Sequence, residues 1–334
     1  MAAIEFRNPD KIPVVYHPSP AGLHVHGRKL LELFRQYPPD NVIAFDTIPA
    51  PPAGTVDAGG RYHEIRKDEW GTTWQHLIFG VWGHPLAYPF PDWKAARHFV
   101  FPTVPGLDSD EFRRSSRWVA EHKPNYYLIG GGGSLLEKIC ALRPMDEVLM
   151  DLYDRNPDLL AFLDRLLDHT CRWLDYHLAA GNDAVMLGDD WGTQTAPLVS
   201  PEIFREIYAP RYRVLADKVT RAGARTFFHC CGFMGPILDE LFNLGISGLW
   251  PQLRFCDSDE FAATCKDRGV TIYIHPDRQR LVPRGTPREI WTAIGRLADR
   301  YHRLGGGGIF YIEIENDAPF ENVKALIESV QACR

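Results

Sequence analysis

The run RTFFHCC at 225–231 places His229 and Cys231 two residues apart. In an extended strand the parity that turns Phe227 inward turns both of them inward and sends Cys230 toward the helices. An imidazole nitrogen beside a thiolate sulfur suits zinc, although a buried histidine next to an inert thiol is the other reading of this tripeptide. A second apolar run alternates Ile309, Tyr311, Glu313 and Glu315 on one face with Phe310, Ile312 and Ile314 on the other. The wholly apolar set should meet helices, leaving Glu313 and Glu315 where a carboxylate needs a metal, a cation or water. Glu313 is thus either a third metal ligand or the partner of a basic residue such as Arg278. His275 shares the parity of Thr271 and Tyr273 and suits general acid–base work or a hydrogen bond to substrate, unless neighbouring Asp277 locks it. Asp189 and Asp190 are adjacent and take opposite parities. One should therefore act as a base or cation ligand, and the other should be structural, as a cap for the helix that follows.

Short β-rich runs carry these residues at or near their ends. They lie at 13–17, 42–46, 126–129, 183–187, 225–230, 246–250, 271–275 and 309–314. Helix-like stretches alternate with them, including 25–36, 134–142, 202–222, 234–243, 257–268 and 287–303. Asn156-Pro157 and Ser200-Pro201 read as helix starts, and Gly181, Gly223, Gly245 and Gly269 as left-handed helix ends before strands. Eight strand–helix units predict an α/β fold, a single (β/α)8 TIM barrel over 1–334, with 50–107 as an insertion after the second strand that covers the mouth. The insertion is rich in Pro, Gly and Trp, and residues 62–71 suggest a hairpin within it. Active sites of such barrels lie at the carboxyl ends of the strands. Those ends carry His17, Asp46, the run Gly130–Gly133, Asp189 with Asp190, His229 with Cys231, Gln252, His275, and Glu313 with Glu315. The glycine run sits where backbone N–H groups could hold an anion, but no Gly-Lys-Ser/Thr continuation makes it a P-loop. The second run, Gly305–Gly308, reads as a turn.

Composition narrows the class. A net charge of −6 argues against nucleic acid as the main partner, and 45% hydrophobic with 24% charged residues is the balance of an ordinary globular protein. No run of about 18 apolar residues predicts a membrane span. Charges from Glu5 onward argue against a secretory signal, and seven cysteines, few and odd in number, argue against a disulfide framework. A reduced, cytoplasmic protein is expected.

Five blocks in order carry a family resemblance: DEWGTTW (68–74), GDDWGTQTAPLVSPEIFREIYAPRYR (188–213), FFHCCGFMGPILDELFNLGISGLWPQ (227–252), IHPDRQRLVPRGTPREI (274–290) and GGGGIFYIEIENDAPFENVKALIESV (305–330). Together they resemble the uroporphyrinogen decarboxylase superfamily, which includes zinc-dependent methyltransferases acting with cobalamin. The decarboxylase proper carries an arginine-rich amino-terminal segment for its tetrapyrrole, and the start KIPVVYHPSPAGLHVHGRK has none. The methyltransferase branch places zinc on a His-x-Cys after a mid-barrel strand and on a further Cys after the last strand. His229 and Cys231 match the first element. Ile312 falls where the second Cys would, and Glu313 is its inward-facing neighbour. In related cobalamin-independent methionine synthases a carboxylate near the position of Gln252 joins the zinc site, where Gln252 would offer a neutral oxygen.

The resemblance implies a zinc-dependent methyltransferase passing a methyl group between a small methylated compound or methylcobalamin and an acceptor. Zinc on His229, Cys231 and Glu313 would keep an open position for a substrate thiol or hydroxyl. Asp190, His275 and Asp46 would orient substrate or shuttle protons. Trp70, Trp191 and Trp250 would form apolar walls, with Asp189, His17, Glu315, Tyr311 and Gln252 also lining the substrate site. A corrinoid protein is the implied partner, and a homodimer the implied assembly. The rival expectations are a metal-independent decarboxylase-type lyase and a corrinoid- or tetrapyrrole-binding protein without catalysis.

Overall fold

The computed structural model describes residues 1–43 and 47–334. Among these, β1 spans Val14–Pro18, β2 Glu64–Lys67, β3 Thr73–His76, β4 His84–Ala87 and β5 Ile129–Gly133. β6 spans Ala184–Gly188, β7 Arg225–Cys230, β8 Gly248–Pro251, β9 Thr271–Ile274 and β10 Gly308–Ile314. Seven strands form one sheet in the order β1-β10-β9-β8-β7-β6-β5, and β2, β3 and β4 form another. Apart from the β1–β10 pair, sheet neighbours follow each other in sequence, and the first and last strands pair in parallel, as a (β/α) barrel requires. The fold is α/β of TIM-barrel type, with seven barrel strands among the described residues. The strand expected at 42–46 falls largely on Ala44, Phe45 and Asp46, which lie outside the described residues, as does the proposed role of Asp46.

The chain divides into two compact units. The first comprises residues 1–66, 74–84 and 250–334, and the second residues 67–73 and 85–249. In the first, β10 is the central strand. Phe310 and Ile312 are fully buried, and Glu313 sits in register with His17 of β1. Thr286 and Glu289 cap the helix Pro287–Arg303 reciprocally, because the threonine hydroxyl accepts from one end of the turn while the carboxylate accepts from the other. The turn read at Gly305–Gly308 is present: Gly305, Gly306 and Gly307 all have positive φ, and β10 begins at Gly308.

In the second unit β5, β6 and β7 run parallel. The helix Pro157–Ala179 begins where Asn156 accepts from the N–H of Asp158 and ends before Gly181, whose φ is +95°. One expectation changes here. Gly130–Gly133 is not a loop after a strand but the body of β5 itself, a few residues beyond the predicted 126–129. The reason is close packing: a Cβ on Gly130 would lie 2.9 Å from the His177 ring of that helix, and one on Gly132 would lie 2.7 Å from the Leu187 side chain. No helix of the described residues is long and apolar enough to cross a membrane.

Candidate metal centre

The site grows from the paired ends of β6 and β7. Gly188 stands opposite His229 in the register, and a Cβ on Gly188 would come within 2.9 Å of the His229 Cβ. Glycine there leaves room for the imidazole. The ladder continues past both strands: Asp189 N–H donates to the His229 carbonyl at 3.1 Å, and Gly192 N–H donates to the Cys231 carbonyl at 3.2 Å. Gly232 has φ +79°, and any Cβ on it would overlap the Gly192 carbonyl. Gly232→Ala combines a left-handed backbone with that overlap, so it is expected to destabilise the protein by roughly 2–3 kcal/mol, read as a lower urea midpoint.

This pairing sets Asp190 directly across from Cys231. The Asp190 Oδ1 accepts the Cys231 N–H at 2.8 Å and lies 3.3 Å from His229 Nε2, which in turn lies 3.4 Å from Cys231 Sγ. The ligand-type atoms of Asp190, His229 and Cys231 all fall within 4.8 Å of one another, the one such group of three among the described residues. Burial alone would raise the Asp190 carboxyl, but hydrogen bonds from His229 and the Cys231 N–H hold it below the ordinary carboxylate range. Burial likewise opposes charge on His229, yet its bonds to Asp190 and Cys231 push it up to about 10.

Asp189 does the structural work expected of one member of the pair, on a helix that precedes rather than follows it. Its carboxylate is fully buried and accepts the N–H groups of Leu135, Leu136 and Glu137 at 2.7, 3.0 and 2.7 Å, together with the Tyr212 hydroxyl. These are the orphan donors at the start of the helix Leu136–Leu142, which has no capping side chain of its own. Burial raises the Asp189 carboxyl to about 6, with those donors acting against it. The Glu137 carboxyl, open to solvent but close to Asp189 and Asp190, is pushed up to about 8 by the surrounding protein and those two charges. Sequence reasoning missed both Glu137 and Tyr212. An acidic residue in the first turn after the glycine run was the available signal for Glu137, and nothing local points to Tyr212.

The first unit gathers a different set. Trp250 Nε1 donates to His275 Nδ1 at 3.0 Å, which leaves Nε2 to carry the proton, 3.2 Å from Glu313 Oε2. Arg278 Nη1 meets the same oxygen at 3.2 Å. Burial opposes ionisation of Glu313, but His275 and Arg278 hold its carboxyl below the usual range. Glu313 therefore has the cation partner that was the alternative to metal ligation, and it is absent from the group of three ligand atoms. Asp277 does not hold His275; it accepts the N–H groups of Gln279 and Arg280 in a turn.

The remaining sequence candidates separate by burial. His17 stacks on Tyr311 with ring centroids 5.5 Å apart. Burial lowers its pKa, against the nearby charge of Glu313. Tyr311 is buried against Tyr273 and Trp250. Glu315 accepts from the Ser19 hydroxyl at 2.7 Å, and burial raises its carboxyl. Gln252 is 9% exposed. Trp191, expected as a substrate wall, is fully buried between Phe204 and Tyr208 and packs the core instead. Trp70 is buried edge-on to His169 and Phe101, with the Lys138 ammonium 4.2 Å from its ring centroid.

Comparison with known proteins bears on this arrangement. A methyltransferase structure from Methanosarcina mazei superposes with a TM-score of 0.67 at 18% identity, covering 99% of this chain and 96% of that one, and so shares its fold. A uroporphyrinogen decarboxylase from Coxiella burnetii is 26% identical over 185 residues, 53% of this chain and 48% of that protein. One from Carboxydothermus hydrogenoformans is 25% identical over 208 residues, 61% and 54% of the respective chains. The chain thus spans about half the length of the curated relatives it matches. The description of uroporphyrinogen decarboxylase (URO-D) fits residues 113–333, a stretch that includes β5 to β10, the Asp190–His229–Cys231 group and the His275–Glu313 pair. With two thirds of its length and both clusters inside that match, the chain belongs to the uroporphyrinogen decarboxylase family.

Proposed function

We propose that this family member is a zinc-dependent methyltransferase that uses Asp190, His229 and Cys231 as its metal ligands. The observation that supports this most directly is the donor geometry. Zinc–nitrogen, zinc–oxygen and zinc–sulfur bonds of about 2.0–2.3 Å at tetrahedral angles imply ligand–ligand edges of roughly 3.3–3.6 Å. The His229–Asp190 and His229–Cys231 separations are 3.3 and 3.4 Å. Nitrogen, oxygen and sulfur from three protein residues form a mixed set that zinc accepts, with a fourth position left for substrate.

When bound, zinc would lower the pKa of a substrate thiol or hydroxyl and so supply the nucleophile. The chain's own residues do the rest. The ladder from β6 into Asp189 and from β7 into Cys231 holds the three donors in place, so little ordering remains for the metal to impose. Glu137, whose carboxyl is raised by the surrounding protein and the charges of Asp189 and Asp190, would stand beside the donor set as a proton-holding group. The protein of Methanosarcina mazei that shares this fold is named a methyltransferase, which agrees with the class of reaction proposed. The names of the curated relatives favour a carboxy-lyase as the second reading.

The deciding experiment incubates zinc-loaded protein with methylcobalamin and a small thiol and follows the corrinoid visible spectrum. Demethylation faster than in the protein-free mixture, and abolished in Cys231→Ala, is expected. An unchanged rate with loaded protein, alongside carbon dioxide release from a carboxylated tetrapyrrole, would move the assignment to the lyase.

Zinc binding should also be coupled to protons. Without metal, His229 is protonated at neutral pH because its pKa stands near 10, and only the neutral imidazole is a ligand. Binding must displace that proton, so apparent affinity should tighten by at least about tenfold per pH unit from pH 6 to 8. Competition with a chelator at each pH measures this. A flat profile would mean that His229 is not a ligand.

A further inference from the structure

The second unit forms an open pocket of about 310 Å³ between β5 and the helix Pro157–Ala179 that none of the three proposed ligands touches. Its walls include Trp70, Leu166 and Trp173, with the glycine backbone of 131–133 along one side. Two polar side chains face it with no side-chain hydrogen bond or ion pair among the described residues. Lys138 makes no ion pair within 4.0 Å among the described residues, and its ammonium rests over the Trp70 ring. The His177 ring, stacked on Trp173 with centroids 6.1 Å apart, makes no hydrogen bond among them either. His169, by contrast, has one ring nitrogen 2.9 Å from the Pro102 carbonyl and is committed to the fold.

We propose that this cavity is a binding site for a small apolar monocarboxylate, whose carboxylate meets Lys138 and His177 and whose hydrocarbon part lies among Trp70, Trp173 and Leu166. The charge count argues for a monoanion. Lys138 offers one positive charge, while burial lowers the pKa of His177 and keeps its ring neutral. Glu69 on the wall adds negative charge that a dianion such as phosphate would meet. Burial also disfavours the charged form of Lys138, with only the more distant charges of Asp68, Glu69 and Glu137 opposing it, so a bound carboxylate would supply the missing close counter-charge. Size agrees: an apolar cavity of about 150 Å³ holds benzene, so twice that volume holds a ring with a carboxylate arm. The glycines of β5 contribute by absence. A Cβ on Gly131 would point to within 3.5 Å of His177 Nε2, into space the ligand needs.

Benzoate is the probe, titrated into the full-length protein and followed by tryptophan fluorescence and calorimetry. Expected are saturable binding of benzoate, binding at least tenfold weaker for neutral benzyl alcohol, and a loss of at least tenfold for benzoate in Lys138→Met. Because benzyl alcohol is compared on the unaltered protein, the test stands even if Lys138→Met fails to fold. No saturable benzoate binding, equal binding of the alcohol, or undiminished benzoate binding in folded Lys138→Met would each overturn the proposal.

Discussion

Zinc titrated into the purified protein is expected to bind at one ion per chain. Asp190→Ala, His229→Ala and Cys231→Ala should each weaken it beyond the roughly 10–100-fold typical of losing an outer partner of a metal ligand, while Glu313→Ala leaves it unchanged. The expectation rests on which groups already have partners. Asp190 shares its Oδ1 with the Cys231 N–H and His229, and all three donors lie within 4.8 Å of one another. Glu313 Oε2 is engaged by His275 and Arg278, so removing Glu313 takes one carboxylate from Arg278 without touching a donor. Zinc stoichiometry by elemental analysis after gel filtration distinguishes the cases. Zinc lost in Glu313→Ala and kept in Asp190→Ala would restore the ligand set that the sequence suggested and remove Asp190 from the centre.

Asp189→Ala should cost about 3–5 kcal/mol of stability, the range for uncompensated loss of a buried hydrogen-bonded charge. The carboxylate has no exposure and accepts three backbone N–H groups from the start of one helix and a hydroxyl from another. Alanine would leave four donors, three of them buried, without that acceptor. Asp189→Asn should fall between alanine and wild type, because its carbonyl still accepts while its amide turns donors toward donors. Urea denaturation of the three proteins orders them. A cost below about 1 kcal/mol for alanine would show that the helix start finds other acceptors.

Much of the frame was legible because it is locally encoded. The alternation of β10 separates Phe310, Ile312 and Ile314 from Glu313, and that apolar set is the more deeply buried of the two, although Ile309 and Tyr311 on the other face are buried as well. The caps at Asn156 and Ser200 and the glycine ends at 181, 223, 245 and 269 follow from short-range hydrogen bonding and positive φ. The β5 glycines were misplaced because their reason is non-local: a helix 47 residues further on, at His177, leaves no space for a side chain at Gly130. Trp191 looked like a site wall for the same cause. Its position beside Asp190 is local information, but its burial against Phe204 and Tyr208 is not.

The sequence by itself determined the family, the parallel α/β order and the pairing of His229 with Cys231, since two residues apart on one strand is a relation that backbone geometry alone enforces. Which carboxylate joins them is a relation between strands, and only the tertiary structure decided it. The β6–β7 register puts Asp190 against Cys231, and the partners of Glu313 on neighbouring elements occupy it with His275 and Arg278. Three acidic residues that the chain offers on equal terms, Asp189, Asp190 and Glu313, are thereby given three settings: capping a helix, lying against His229 and Cys231, and pairing with a cation. Side-chain parity says which face each one takes, but the donor that reaches it first is a matter of packing.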